Sequence, residues 1–112
     1  MTRIKDLDEI RGHFLEFLDL VPETGAKFRD HYEHVYRDGI FDAKTKRLMA
    51  LCGGIIAGCK GCILGQTDHA LKQGASAAEI LEACMVAMSL GGTLAGSQIT
   101  MVVALLKEKQ ML

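Results

Sequence analysis

Apolar residues recur every three to four positions along most of this chain, a spacing that places them on one face of an α-helix. The first stretch of this kind runs from about residue 4 to 20. Pro22 suits the first turn of a second helix, which Gly39 is placed to end. Asp42 is positioned to cap a third helix, and Gly58 to close it. The first half of the chain therefore predicts three helices joined by short turns.

The second half continues the helical pattern. A fourth helix is predicted from about residue 59 to 74, and the sequence Ser-Ala-Ala-Glu at 76–79 forms a capping box that starts a fifth. A glycine pair at 91–92 breaks the pattern, so a sixth helix follows and ends near residue 109. We therefore predict one all-α domain, 1–112, of about six helices.

Composition agrees with a folded domain and excludes two classes of protein. The 112 residues (12.2 kDa) are 49% hydrophobic and 24% charged, which suits one packed core. Thirteen basic residues stand against 14 acidic ones, for a net charge of −1. A binder of nucleic acid or of anionic membrane surfaces would show a basic excess, so neither partner is expected.

One long stretch without charge raises the question of a membrane helix. Residues 83–106 contain no charged side chain, which is long enough to span a bilayer. The glycine pair divides the stretch, however, and five Ser, Thr or Gln side chains would face lipid. We predict instead two largely buried helices. Because a chain of this size has little interior to hide them, we also predict a homo-oligomer.

The first ten residues carry charges and no apolar core of a secretory signal, so a cytoplasmic location and reduced thiols are expected. Two of the four cysteines form the motif Cys59-Lys60-Gly61-Cys62 at a predicted helix start. Free helix amides and Lys60 favour a thiolate there, most directly at Cys59, and such a pair can cycle between dithiol and disulfide. Half of a zinc site and inert core cysteines are the alternatives. Cys52 and Cys84 lie on apolar helical stripes and are expected to fill the core.

The segments around this motif resemble the carboxymuconolactone decarboxylase superfamily, closest to its alkylhydroperoxidase (AhpD-like) branch. The likeness rests on five segments of the chain, from about residue 40 to 106: 42–51, 58–64, 70–76, 79–83 and the glycine pair at 91–92. It implies an all-helical bundle that assembles into trimers, hexamers or similar rings. It also implies that the cysteine pair reduces hydroperoxides without a bound cofactor and is recharged by a dithiol donor such as a lipoylated protein. Cys62 would be the attacking thiol and Cys59 its resolving partner.

Two positions depart from the peroxidase pattern. Those members carry a Glu twelve residues before the first cysteine and a His four residues after the second, whereas this chain has Arg47 and Gln66. Neither residue is a general base near neutral pH, although both are candidates to line the site. His69 shares a helical face with Gln66 and is the candidate substitute base, and Asp68 is expected to be solvated.

These departures leave two further functions open. One is a decarboxylase of a small carboxylated lactone, in which Arg47 would bind a substrate carboxylate. The other is a non-catalytic oligomeric module that senses redox state through a reversible disulfide.

Overall fold

The computed structural model describes residues 2–112 and contains five α-helices and no strand within that range. The helices are α1 (Thr2–Leu20), α2 (Pro22–Tyr36), α3 (Ala43–Ala57), α4 (Lys60–Lys72) and α5 (Ala77–Glu108). The predicted all-α fold is confirmed.

The helix starts follow from the residues that the sequence placed there. Pro22 occupies the first turn of α2. The Asp42 side chain accepts a hydrogen bond from the Thr45 amide (2.7 Å), and Ser76 and Glu79 form the reciprocal capping box of α5. The two caps satisfy backbone amides that a helix start leaves without partners, and Pro22 has no amide hydrogen that would need one.

The predicted break between a fifth and a sixth helix lies inside α5. Gly92 has φ 57° and ψ −140°, a non-helical conformation that only glycine adopts readily. The break separates arms of 77–91 and 93–108 within this apolar helix. By length and composition the undivided helix could cross a bilayer. Each arm alone is shorter than the roughly 20 residues that a span needs.

One predicted boundary was wrong. Helix α2 ends at Tyr36 rather than Gly39, because Arg37 is already extended (φ −73°, ψ 161°). The Lys46 ammonium donates to the carbonyls of Val35 (2.9 Å) and Arg37 (2.8 Å), so a side chain of α3 closes the end of α2.

The core lies between α3, α4 and α5, and α1 covers the outer side of α4 and α5. Leu51 and Ile55 of α3 pack with Ile63 of α4 and Val102 of α5, all at most 1% exposed. Helix α2 packs mainly on α1 and only lightly on α3.

Gly54 allows α3 and α4 to approach at the cysteine motif. A Cβ at this position would lie 3.1 Å from the Cys62 Cβ and 3.3 Å from its carbonyl carbon. The start of α4 therefore rests directly on a glycine of α3.

We expect Gly54→Ala to destabilise the protein relative to Gly53→Ala by about 1–3 kcal/mol, the usual cost of overpacking. Gly53 is the matched control because a Cβ there meets nothing within 4 Å. Gly53→Ala should gain about 1 kcal/mol from helix propensity alone. Chemical denaturation of both variants measures the difference, and equal stabilities would show that the Gly54 contact carries no strain.

Much apolar surface remains exposed. Part of it lies on α5, on both sides of its break, and on two positions of α3: Met49, Ile56, Met85, Val86, Met88, Leu90 and Leu94. We call this set the α3–α5 apolar patch. Leu90 is 82% exposed and Leu94 74%.

Candidate functional site

The cysteine motif occupies the turn between α3 and α4. Gly58 ends α3 in the left-handed conformation (φ 68°, ψ 30°), which reverses the chain and brings the Cys59 amide to the Gly54 carbonyl (3.1 Å). A disulfide joins Cys59 to Cys62, whose Cα atoms are 5.1 Å apart. The helix start thus holds the two sulfur atoms together.

Cys59 is the N-cap of α4. Its sulfur accepts a hydrogen bond from the Cys62 amide at 3.2 Å. Partial positive charge from the free amides of a helix start stabilises a thiolate at this place. The Lys60 ammonium instead pairs with Asp6 of α1 (3.0 Å) and lowers the pKa of that carboxyl. The backbone, more than Lys60, provides the positive field at the sulfur atoms.

The two cysteines differ in exposure. Cys62 is exposed, whereas Cys59 is half-buried. Solvent therefore reaches Cys62 more readily than Cys59.

Arg47 and Gln66, the two residues that depart from the peroxidase pattern, are in direct contact. The Arg47 Nη1 donates to the Gln66 Oε1 at 3.1 Å and to the Tyr32 hydroxyl at 2.5 Å. The Gln66 Nε2 also donates to the Tyr32 hydroxyl (3.3 Å). The guanidinium carbon lies 3.8 Å from the centroid of the Tyr36 ring, a cation–π contact. We call these four residues the Arg47 cluster.

The cluster lies along the same helix–helix contact as the cysteines. Gln66 follows Cys62 by four residues on α4, so the two side chains share a face one turn apart. On α3, Arg47 precedes Gly54 by seven residues and shares its face in the same way. Because Gly54 contacts Cys62, the cluster continues the α3–α4 contact beyond the disulfide.

His69 lies further along α4 and is neutral at physiological pH. Burial lowers its pKa to about 4, and the positive charge of Arg47 acts in the same direction. No hydrogen bond joins His69 to Cys59 or Cys62 within residues 2–112. A proton accepted by His69 would be held weakly, so its role as the substitute base stays a prediction.

The His69 pKa predicts a pH dependence of stability. Because its pKa is lower in the folded chain (about 4) than unfolded (6.5), the unfolded state takes up the proton first as pH falls. Stability should therefore decrease as pH falls from about 6.5 to 4. His69→Gln should flatten this part of the curve in denaturation series at several pH values, and an unchanged slope would contradict it.

Asp68 is not solvated as expected. It is 4% exposed and binds three cations: Arg11 of α1 (3.1 Å), Lys72 of α4 (2.9 Å) and Lys109, the C-cap of α5 (3.1 Å). Burial raises the pKa of this carboxyl, but the hydrogen bonds from the three cations lower it by more, so the pKa is about 2. Asp68 thus joins α1, α4 and the end of α5.

The other two cysteines lie in the helix core. Cys84 is buried, and Cys52 is half-buried with its thiol donating to the Ala83 carbonyl (3.1 Å). Burial raises the pKa of both thiols, to about 11 for Cys84. They are therefore poor nucleophiles at neutral pH. No group of three or more His, Cys, Asp or Glu residues in the described part of the chain could hold a metal ion.

Sequence reasoning missed the two tyrosines of the Arg47 cluster. The helical spacing of α2 places Tyr32 and Tyr36 on its apolar face and does not indicate a contact with Arg47. The available signal was their spacing of four residues, which places both rings on one face, together with an arginine predicted near the site.

Comparison with known proteins identifies the family. The model of the carboxymuconolactone decarboxylase family matches residues 22–103, which include both cysteines and the whole Arg47 cluster. The chain belongs to the carboxymuconolactone decarboxylase family. Its membership confirms the resemblance at the level of the superfamily.

Relatives and solved structures agree with this assignment. Uncharacterized protein 4 in the cox locus of Paracoccus denitrificans is 32% identical over 66% of this chain and 67% of its own length. A family protein from Thermotoga maritima, described with a suggested involvement in antioxidative response, is 30% identical, with a TM-score of 0.83 over 94% of this chain and 90% of its own. A family protein from Legionella pneumophila, 24% identical, shares the fold with a TM-score of 0.88 over 96% of both chains.

Proposed function

We propose that this protein is a thiol-dependent peroxidase and disulfide oxidoreductase that uses Cys59 and Cys62 as its redox pair. The observation that carries the proposal is a disulfide at the start of α4, in which Cys62 is an exposed residue and the Cys59 sulfur accepts a hydrogen bond from a helix amide. A structural disulfide would be expected to brace distant segments, whereas this one closes a loop of three residues. A pair of this kind suits reversible opening.

The reaction begins from the dithiol. The Cys62 thiolate attacks the outer oxygen of a hydroperoxide, the O–O bond breaks, and the alkoxide leaves and takes a proton to become an alcohol. Cys62 is then a sulfenic acid. The Cys59 thiol attacks that sulfur, the disulfide forms, and water leaves. A dithiol donor such as a lipoylated protein then reduces the disulfide by exchange and is itself oxidised to a disulfide.

The suggested antioxidative involvement of the Thermotoga maritima relative supports this proposal. So does the difference between the cysteines, because only the pair at 59 and 62 combines exposure with a helix start. Cys52 and Cys84 have raised pKa values and lie in the core.

The direct assay follows hydroperoxide consumption by the purified protein with dihydrolipoamide as the dithiol donor. We expect turnover that requires both substrates. Reversible disulfide formation without turnover would favour a redox sensor instead. Decarboxylation of a lactone acid that survives replacement of both cysteines by serine would favour the decarboxylase.

We also propose that the protein acts as a homo-oligomer, a trimer or hexamer, and that the α3–α5 apolar patch forms part of its interface. Ile56 and the first half of α5 adjoin, because a Cβ on Gly91 would lie 3.0 Å from the Ile56 side chain. Covering such a patch removes apolar area from water.

Leu90→Glu should therefore dissociate the assembly to single chains of 12.2 kDa, as measured by light scattering after size-exclusion chromatography. Leu90 is 82% exposed, so the substitution leaves the fold of one chain intact. Gln73→Glu, which adds the same charge at the exposed end of α4, is the control and should keep the parent mass. A parent protein that elutes as a single chain would contradict the proposal.

A further inference from the structure

Arg47 is a buried cation without a counter-charge. Its side chain belongs to a residue only 8% exposed, and no Asp or Glu within residues 2–112 forms an ion pair with it. Asp68, the buried carboxylate nearby on α4, is already shared by three other cations. Buried charges in proteins are normally paired, so an unpaired guanidinium indicates that an anion is missing.

Two hydrogen-bond donors of the Arg47 cluster are also unused. The Arg47 Nε is buried and has no partner. The Tyr32 hydroxyl oxygen accepts from both Arg47 and Gln66, which leaves its own proton free to be donated. Because the Gln66 Oε1 accepts from Arg47, the amide orientation is fixed and cannot offer Tyr32 an acceptor. The cluster therefore offers donors and lacks an acceptor.

The surrounding charges strengthen this preference for an anion. Burial is the main cause of the low pKa of His69, and the positive charges of Arg47, Arg11 and Lys72 lower it further. Asp68 alone opposes them. The electrostatic field along this part of α4 is therefore positive.

We infer that the Arg47 cluster binds a carboxylate carried by the substrate of the cysteine pair. The inference rests on the proposed function and names its substrate class, an organic hydroperoxide that bears a carboxylate. The carboxylate would accept from the Arg47 Nε and the Tyr32 hydroxyl, and the peroxide group would extend one turn along α4 toward Cys62.

The route to Arg47 passes α2. Tyr32 and Tyr36 are half-buried and lie over the guanidinium from a helix that packs lightly on α3. Tyr36 lies closer over the guanidinium than Tyr32, so a ligand would reach the Nε edge by displacing the Tyr36 ring while the Tyr32 hydroxyl stays in the cluster. Arg47 stands where the peroxidase members carry the Glu of their proton relay. In this chain the same position would bind an anion.

The chain supplies its own reporter of binding. It has two tyrosines and no tryptophan, and both tyrosines belong to the Arg47 cluster. We expect hexanoate to change the tyrosine fluorescence saturably, and neutral hexanamide to have no effect. Arg47→Met should abolish the response to hexanoate. Arg37→Met, which removes an exposed charge just beyond α2, should keep it.

Tyr32→Phe provides a milder variant that retains Arg47 and the ring. Losing one donor to a carboxylate should weaken hexanoate binding by about tenfold, followed through Tyr36. Equal responses to hexanoate and hexanamide, no response to either, or a response to sulfate alone would each overturn the inference. A missing response is also what a carboxylate from a second copy, already bound to Arg47, would produce.

Turnover gives the second readout. With cumene hydroperoxide and its para-carboxy derivative, we expect kcat/KM to favour the carboxylated substrate by about tenfold or more. Arg47→Met should bring this ratio close to one, and Arg37→Met should preserve it. A ratio near one in the parent protein would overturn the inference while leaving the peroxidase intact. If neither hydroperoxide reacts, the proposed function fails, and the hexanoate titration still decides whether Arg47 binds carboxylates.

Discussion

Cys62→Ser should reduce dithiol-dependent hydroperoxide turnover below detection. The hydroxyl of serine is not ionised at neutral pH, and its oxygen is a far weaker nucleophile toward a peroxide than a thiolate. The exposed position of Cys62 makes the substitution structurally mild. Stopped-flow mixing of the reduced variant with cumene hydroperoxide measures the loss.

The partner variant separates the two sulfur roles. Cys59→Ser should consume one equivalent of hydroperoxide and then stop, because a sulfenic acid at Cys62 has no resolving thiol, and dimedone should label it there. Cys52→Ser is the control and should turn over like the parent protein, since Cys52 lies in the core with a raised pKa. Consumption of one equivalent by Cys62→Ser, with none by Cys59→Ser, would assign the attack to Cys59, the N-cap cysteine.

Asp68→Asn should destabilise the protein by about 2 kcal/mol at neutral pH. This value corresponds to the fall of the Asp68 pKa from 3.8 to about 2 on folding. The loss of stability is expected to stay close to this value. The cations that pair with Asp68 are partly solvated, so they recover some hydration when the carboxylate is replaced. Urea denaturation of both proteins measures the difference.

The same pKa fixes the pH dependence of this contribution. Because the pKa is lower in the folded chain, the stabilisation is complete above about 3.8 and is lost as pH falls through about 2. Asp68→Asn should lose this part of the acid dependence. Asp8→Asn, at an exposed position of α1 with no ion pair in the described chain, should change stability by less than about 0.5 kcal/mol. Equal effects of the two substitutions would contradict the role of Asp68.

The fold was predictable wherever a local device decides the structure. The Asp42 cap, the capping box at 76–79 and the break at Gly92 each act within a few residues, so they can be recognised from the sequence alone. The end of α2 was not predictable from the sequence. It depends on Lys46 of α3, whose ammonium donates to the carbonyls of Val35 and Arg37, and no sequence pattern connects these residues.

The candidate site divides in the same way. The motif at 59–62 and the unusual Arg47 and Gln66 were found from spacing and from the family resemblance. The contact between Arg47 and Tyr32 joins residues 15 apart on different helices. The cations around Asp68 come from α1, from α4 and from the C-cap of α5. Such contacts depend on how helices pack, which periodicity along one helix does not specify.

The most direct test counts thiols in the reduced protein after one equivalent of hydroperoxide is added. The account predicts that two of the four thiols per chain disappear, that mass spectrometry finds them as a Cys59–Cys62 disulfide, and that dihydrolipoamide restores both. Four thiols remaining, or an oxidation confined to Cys52 and Cys84, would contradict it.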